Sequence, residues 1–141
     1  MTNMYEDTIR DAVEYVVKLA LCGRGDVLRI LELYAEGYGP STIARYLKMP
    51  RSTVRRYVQR INERVVFVNV RRFLRMTLPY VKMIEPIVVD RNRCLLCNKR
   101  FETFSSLLVH ISFKHGKLVN LYVDKFFIYA KLGGVDESTG S

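Results

Sequence analysis

Two cysteines and two histidines, Cys94, Cys97, His110 and His115, sit together in the stretch CLLCNKRFETFSSLLVHISFKH. They are two of the three cysteines and both of the histidines of a 141-residue chain. The spacing is Cys-x2-Cys-x12-His-x4-His. Two thiolates and two imidazoles so spaced complete a tetrahedral zinc shell, with Zn–S near ~2.3 Å and Zn–N near ~2.0 Å. His110 and His115 are five apart, which a helix with a slightly distorted last turn can aim at one ion. With all four positions filled by protein there is no place for water or substrate, so the ion is expected to be structural. No Glu lies between the histidines, unlike the His-Glu-x-x-His hydrolases. No paired carboxylates, Gly-rich phosphate loop or nucleophile triad is evident, and the chain is expected not to be an enzyme. The plainer readings of the cluster are chance or a redox cysteine pair. An odd cysteine count makes a poor disulfide framework and suits a reducing cytoplasm. Cys22 reads as a buried thiol.

A second chemistry is carried by the charge. Formal net charge is +9 and the sequence pI about 9.7. Such a basic chain seeks polyanions, either nucleic acid or an anionic membrane surface. Residues 1–40 carry four basic and seven acidic groups, and residues 76–141 carry nine and six. Residues 41–75 carry ten basic groups and only Glu63. A patch, not a diffuse surplus, is what a phosphate-binding surface needs. The alternative is a solvated basic helix face of the kind common in proteins from hot environments. No apolar run reaches the ~18 residues of a membrane span. The acidic, polar start, MTNMYEDTIRDAVEY, is unlike a secretion signal. Hydrophobic residues make up 49% of the chain, enough for a core in one ordinary domain or two small ones.

The elements that position the basic residues follow from local pattern. In GYGPSTIARYLKMPRSTVRRYVQRI, apolar positions fall at Ile43, Leu47, Met49, Val54, Tyr57, Val58 and Ile61. Pro40 and Pro50 each suit a first helical position. This predicts a short helix over about 40–48, a tight turn, and a second helix over about 50–62. Ala44 is small enough to let the second helix cross close over the first. Upstream, Ile9, Val13, Val16, Val17 and Ala20 recur at helical spacing, and so do Val27, Ile30, Leu31 and Tyr34. The pair at 40–62 resembles the helix-turn-helix of DNA-binding regulators and of resolvase and invertase recombinases. The likeness rests on Ile43, Ala44, Leu47, Met49, Val54 and Tyr57. It departs at the turn, where Lys48 stands in place of the usual glycine. The helix near 26–36 would complete a three-helix core. In that family the exposed N-terminal face of the second helix enters the major groove. Here that face offers Ser52, Arg56 and Gln59, flanked by Arg51, Arg55 and Arg60. Arg pairs bidentately with guanine and Gln with adenine. The flanking arginines suit phosphates, which position without specifying.

The cysteine–histidine stretch resembles the two-cysteine, two-histidine zinc finger. Phe101 stands four after Cys97 and Leu107 three before His110, where that family keeps its two core residues. The likeness implies a ββα unit, with a hairpin over roughly 90–102 and a helix over roughly 104–114. The family's base-reading positions fall on Thr103, Ser106 and Val109, none of which makes a discriminating bidentate contact. Leu108, Val109 and Phe113 are apolar, which predicts a finger docked on the C-terminal segment, the helical domain or a second subunit. Arg91, Arg93, Lys99, Arg100, Lys114 and Lys117 form a basic rim. Residues 64–90 read least clearly. VVFVNV could be a strand or could continue the preceding helix, and Pro79 and Pro86 forbid one helix through the whole. Arg71, Arg72 and Arg75 extend the basic patch. In GKLVNLYVDKFFIYAKL, the residues Leu118, Tyr122, Phe126, Tyr129 and Leu132 fit a helical stripe, though a strand is possible.

The expected architecture is mainly α, with a helix-turn-helix core and a small ββα zinc finger. Residues 1–64 form the DNA-binding domain, 65–89 a connector, 90–116 the finger, 117–132 a packing or dimerisation segment and 133–141 a disordered tail. The expected partner is double-stranded DNA, with a homodimer possible, no membrane and no small-molecule substrate. One structural zinc ion per chain is expected. The leading role is a transcriptional regulator. The pairing of modules resembles regulators of archaea, archaeal viruses or plasmids. The alternatives are the DNA-targeting subunit of a recombination or replication system, a non-specific architectural coat, and an adaptor whose finger binds protein.

Overall fold

Val13, Val16, Val17 and Ala20 do form one buried stripe, but the helix that carries them is enclosed on more than one side. The computed structural model describes residues 4–66, 68–90 and 92–130. In it α1 (Met4–Leu21) also buries Ala12, Leu19 and Leu21. A helix apolar on most of its circumference must be covered on most of it. The coverage comes from α2 (Gly25–Ala35), α4 (Arg51–Arg64), α5 (Val70–Val81) and α7 (Gly116–Tyr129), all of which touch α1. Each fully buried Leu or Ile contributes roughly 1.5–3 kcal/mol by leaving water. Leu19, Leu21, Ile30 and Leu31 are all in that class. Among the described residues the chain is mainly helical, with one two-stranded sheet.

Helix α3 (Pro40–Leu47) opens with Pro40 in the first turn, as expected. Pro50, expected as the first residue of the next helix, is instead its N-cap, with extended backbone, and α4 begins at Arg51. Between them Lys48 takes the left-handed conformation (φ 56°, ψ 47°) that the glycine departure put in question. The Met49 amide donates to Ala44 O at 2.9 Å and so closes the end of α3.

The connector expected at 65–89 holds a core helix. Asn69 caps α5, its side-chain oxygen accepting from the Arg72 amide at 3.0 Å. Phe73, Leu74, Thr77, Leu78, Tyr80 and Val81 are buried. Pro79 lies inside α5 but on its exposed side and within the last turn. There it removes one backbone bond and leaves the buried face intact. Of the six residues read as a possible strand, Val65, Val66, Val68 and Asn69 form neither strand nor helix, while Val70 opens α5. The remaining one, Phe67, lies outside the described residues.

Strand β1 (Val88–Val89) pairs antiparallel with β2 (Arg93–Cys94), in the register Val88↔Cys94 and Val89↔Arg93. A bridge from Arg93 to Arg100 adds the hairpin that holds the two cysteines. Helix α6 (Phe104–Lys114) follows, capped by Thr103, which accepts from the Ser106 amide at 3.1 Å. Helix α7 buries Val119, Val123 and Phe126, so the C-terminal segment is helical and packs on α1 and α6. Of its expected stripe, Phe126 is buried while Leu118, Tyr122 and Tyr129 are half-buried. Leu132, the expected tail at 133–141 and the rim residue Arg91 lie outside the described residues. Arg10 pairs with Asp124 at 2.8 Å, and the Tyr80 hydroxyl donates to Tyr122 O at 2.6 Å. The buried apolar residues of all these elements form one cluster.

Candidate nucleic-acid interface and metal centre

Val54, Tyr57, Val58 and Ile61 turn one face of α4 into the core. Helical spacing then forces the intervening residues outward. Arg51, Ser52, Arg55, Arg56, Gln59 and Arg60 are all exposed on that outer side. Gln59 gives one N–H to Glu63 Oε1 at 3.0 Å. Its other N–H and its carbonyl oxygen stay available for a base edge. The guanidinium carbons of Arg56 and Arg60 lie 5.5 Å and 5.4 Å from the Tyr57 ring centre. Arg64 lies 4.2 Å above the ring of Tyr15.

Two arginines expected to extend this patch have intramolecular work. Arg71 Nε donates to Tyr34 O at 2.7 Å, and Arg75 Nη1 donates to Ala35 O at 2.9 Å. Both carbonyls belong to the last turn of α2, and Tyr34 O also accepts from the Gly37 amide at 3.0 Å. Arg71 also covers the Tyr34 ring at 4.2 Å. These arginines close the C-terminus of α2, where positive charge is favoured. Arg72 is exposed.

The metal-ligating types meet as their spacing requires. Cys94 N donates to Lys99 O at 2.8 Å and Asn98 N to Cys94 O at 2.7 Å, which folds the knuckle between the cysteines. Asn98 takes the left-handed conformation (φ 58°) that asparagine tolerates. Helix α6 ends at Lys114, and His115 steps out of it at φ −124°, ψ 26°. That break supplies the distortion a five-residue histidine spacing needs. His115 Nε2 lies 3.4 Å from Cys94 Sγ and 3.3 Å from Cys97 Sγ. A tetrahedral zinc shell with ordinary bond lengths has N···S edges near ~3.5 Å. One ligand atom from each of the four residues falls within 4.8 Å of every other.

His110 gives the sharpest fit test. Its Nε2 is buried and has no hydrogen-bond partner, an arrangement that is costly for a polar atom unless something coordinates it. Burial, then His115, Lys99 and Lys114, hold its pKa below the ordinary value, which keeps the imidazole neutral and its lone pair free. The Phe101 ring lies 4.7 Å from that of His110, and Leu107 and Ile111 are fully buried beside it. The four residues thus form a candidate metal site with the donor set of a structural ion. Cys22 stands apart, since burial pushes its thiol up to about 12, which makes it inert.

Helix α6 docks on the protein's own helices, while part of its apolar surface stays open. Leu108 is half-buried, but Val109 is 56% exposed and Phe113 83% exposed. They line a groove of about 350 Å³ between α1 and α6, with Tyr15 and Arg64 at its wall. On the rim, Arg93 is taken up by Asp90 at 2.8 Å and Asn98 at 2.7 Å. Lys99, Arg100, Lys114 and Lys117 are exposed. Sequence reasoning missed Arg24, which forks onto Asp26 through Nε and Nη2, both at 2.9 Å. The opposite charges two residues apart were legible. The contacts Arg24 makes with Tyr57 and Phe104, far along the chain, were not.

Residues 25–67 match the family model of a homeodomain-like domain. The match takes in α2, α3 and α4, the three helices that carry the exposed basic face. A helix-turn-helix domain of this type points to DNA binding. No curated protein and no solved structure matches the chain. No helix among the described residues is long and apolar enough to cross a membrane.

Proposed function

We propose that this chain is a sequence-specific binder of double-stranded DNA that regulates transcription, and that Cys94, Cys97, His110 and His115 hold one structural zinc ion. The observation that carries the reading is the exposed face of α4, where six polar or basic side chains of base- and phosphate-binding type stand together. A major groove ~12 Å wide admits such a helix. Arg56 and Gln59 are the base readers, Arg56 for guanine and Gln59 for adenine. Ser52 is small enough to let the helix N-terminus approach the groove floor. Arg51, Arg55 and Arg60 fix the register on phosphates.

The zinc supplies folding energy, of the order of 10 kcal/mol in isolated fingers. It is not catalytic in this reading, because protein atoms fill all four positions and the chain is not an enzyme. Arrangement into a DNA-binding part, a finger and a C-terminal packing segment, action in the cytoplasm, and kinship with archaeal or archaeal-viral regulators belong to the same proposal. So does a homodimer on a two-fold site, which the open apolar groove at Val109 and Phe113 favours. A non-specific coat is the second reading, because most of the face suits phosphates. One experiment separates the two. Selection from a pool of randomised duplexes returns a defined motif for the regulator and no motif for the coat.

A further inference from the structure

Arg24 stands where the turn between α1 and α2 meets both the recognition helix and the metal-bearing helix. Its side chain is 23% exposed. The fork onto Asp26 holds the guanidinium in one plane. Its central carbon lies 4.3 Å from the centre of the Phe104 ring, and Phe104 is the first residue of α6. The same carbon lies 5.8 Å from the Tyr57 ring, and Nη2 donates to the Tyr57 hydroxyl at 3.4 Å. Tyr57 is the buried residue of α4 against which Arg56 and Arg60 also rest. One side chain therefore separates the start of the finger helix from the middle of the DNA-facing helix. The same turn is gripped a second time. The Ile87 amide donates to Leu21 O at 2.8 Å. A Cβ on Gly23 would meet Val88 O at 3.3 Å, so the strand entering the finger lies directly on the turn.

Leu107 and Ile111 are buried in the cluster shared with α1 and α7, while Phe101 and Phe104 are only half-buried at its edge, so that edge depends on the metal ligands more than the middle of α6 does. Loss of metal frees Cys94, Cys97, His110 and His115 and is expected to loosen the hairpin and the start of α6. Phe104 then leaves the guanidinium, and a partly desolvated cation–π contact is lost. We propose that Arg24 is the positioning residue through which metal occupancy sets the order of α4, so that metal binding and DNA affinity are coupled. The inference rests on the proposed metal site throughout and on the DNA-binding reading for its second half. Coupling of this kind is reciprocal, so DNA raises the affinity for metal by the factor by which metal raises the affinity for DNA.

The test compares zinc-loaded and chelated full-length protein, for wild type, Arg24→Met, Arg24→Lys and Phe104→Leu. Amide hydrogen exchange across residues 51–64 is read first, then affinity for a selected duplex. Zinc is expected to slow exchange over residues 54–61 of the wild type about tenfold, and to raise DNA affinity by a similar factor. In Arg24→Met both effects shrink to within about twofold. Arg24→Lys follows Arg24→Met, because an ammonium has no planar fork to span Asp26, Tyr57 and the ring of Phe104. Phe104→Leu gives the same result with Arg24 intact, and carries the comparison if Arg24→Met fails to fold. Equal metal-dependent protection in wild type and Arg24→Met overturns the inference. So does Arg24→Lys behaving as wild type, which makes Arg24 a simple positive charge beside Asp26. If zinc-loaded wild type binds no duplex at all, the DNA reading fails, while the exchange measurement still decides the role of Arg24.

Discussion

Lys48→Gly should make the protein more stable, and the reason lies in one pair of backbone angles. Lys48 ends α3 at φ 56°, ψ 47°. For an L-residue this conformation costs roughly 1–2 kcal/mol, because Cβ crowds the following carbonyl oxygen. Glycine escapes that cost but loses more freedom on folding, which returns about 0.5–1 kcal/mol. The side chain of Lys48 is exposed, so little packing is lost with it. The net expectation is a gain of about 0.5–1 kcal/mol. For a chain of this size that is a rise in melting temperature of roughly 2–4 °C. The control is Lys48→Ala, which removes the ammonium but keeps Cβ. Zinc-loaded wild type and both variants are melted reversibly and followed by circular dichroism. Lys48→Gly should melt above Lys48→Ala, and the two should bind duplex DNA equally well, because the bond from Met49 N to Ala44 O keeps the turn in shape. If Lys48→Gly melts no higher than Lys48→Ala, the left-handed turn and the strain argument built on it are wrong.

Arg56→Ala and Gln59→Ala should each weaken specific binding by roughly 1–3 kcal/mol and relax preference at one position, whereas Arg60→Ala should weaken all sequences alike and flatten the salt dependence. Equal loss for Arg56→Ala on specific and random duplexes would mean that Arg56 reads no base. Purified protein should contain one zinc per chain by elemental analysis, and substoichiometric zinc or a Cys94–Cys97 disulfide in reducing buffer would sink the metal assignment. Cys97→Ser should release the ion and loosen residues near 90–115, lowering affinity but keeping the preference within a half-site. Loss of preference at a separate block of about three base pairs would instead make the finger a reader. Tyr80→Phe should cost about 0.5–1.5 kcal/mol, since it removes a 2.6 Å bond to Tyr122 O where α5 meets α7. An unchanged melting temperature there would place α7 elsewhere.

The features legible in the sequence are those whose physics is local. Ile43, Val54, Tyr57 and Ile61 mark the inner faces of α3 and α4 because helical period alone dictates which side chains share a face. That same period turns Arg51 to Arg60 outward without reference to the rest of the chain. Cys94, Cys97, His110 and His115 are close enough in sequence for one hairpin and one helix to bring them together. Helix α5 was hidden because a proline inside a helix is locally unfavourable, and only its exposed position on a buried helix makes Pro79 tolerable. The run around Tyr122 and Phe126 fits helix or strand, and packing against α1 is what selects helix. Arg71 and Arg75 read as surface charge until α2 brings its last carbonyls to them. Leu107 is buried where the resemblance put a core residue, whereas Phe113, read as docked, stays 83% exposed because the neighbouring helices leave it uncovered. Arg24 is the clearest case. Its charge and its neighbour Asp26 are local, but Tyr57 and Phe104 reach it from 33 and 80 residues away. Contacts over such separations depend on how the helices cross, and that is set by the summed burial of the whole core.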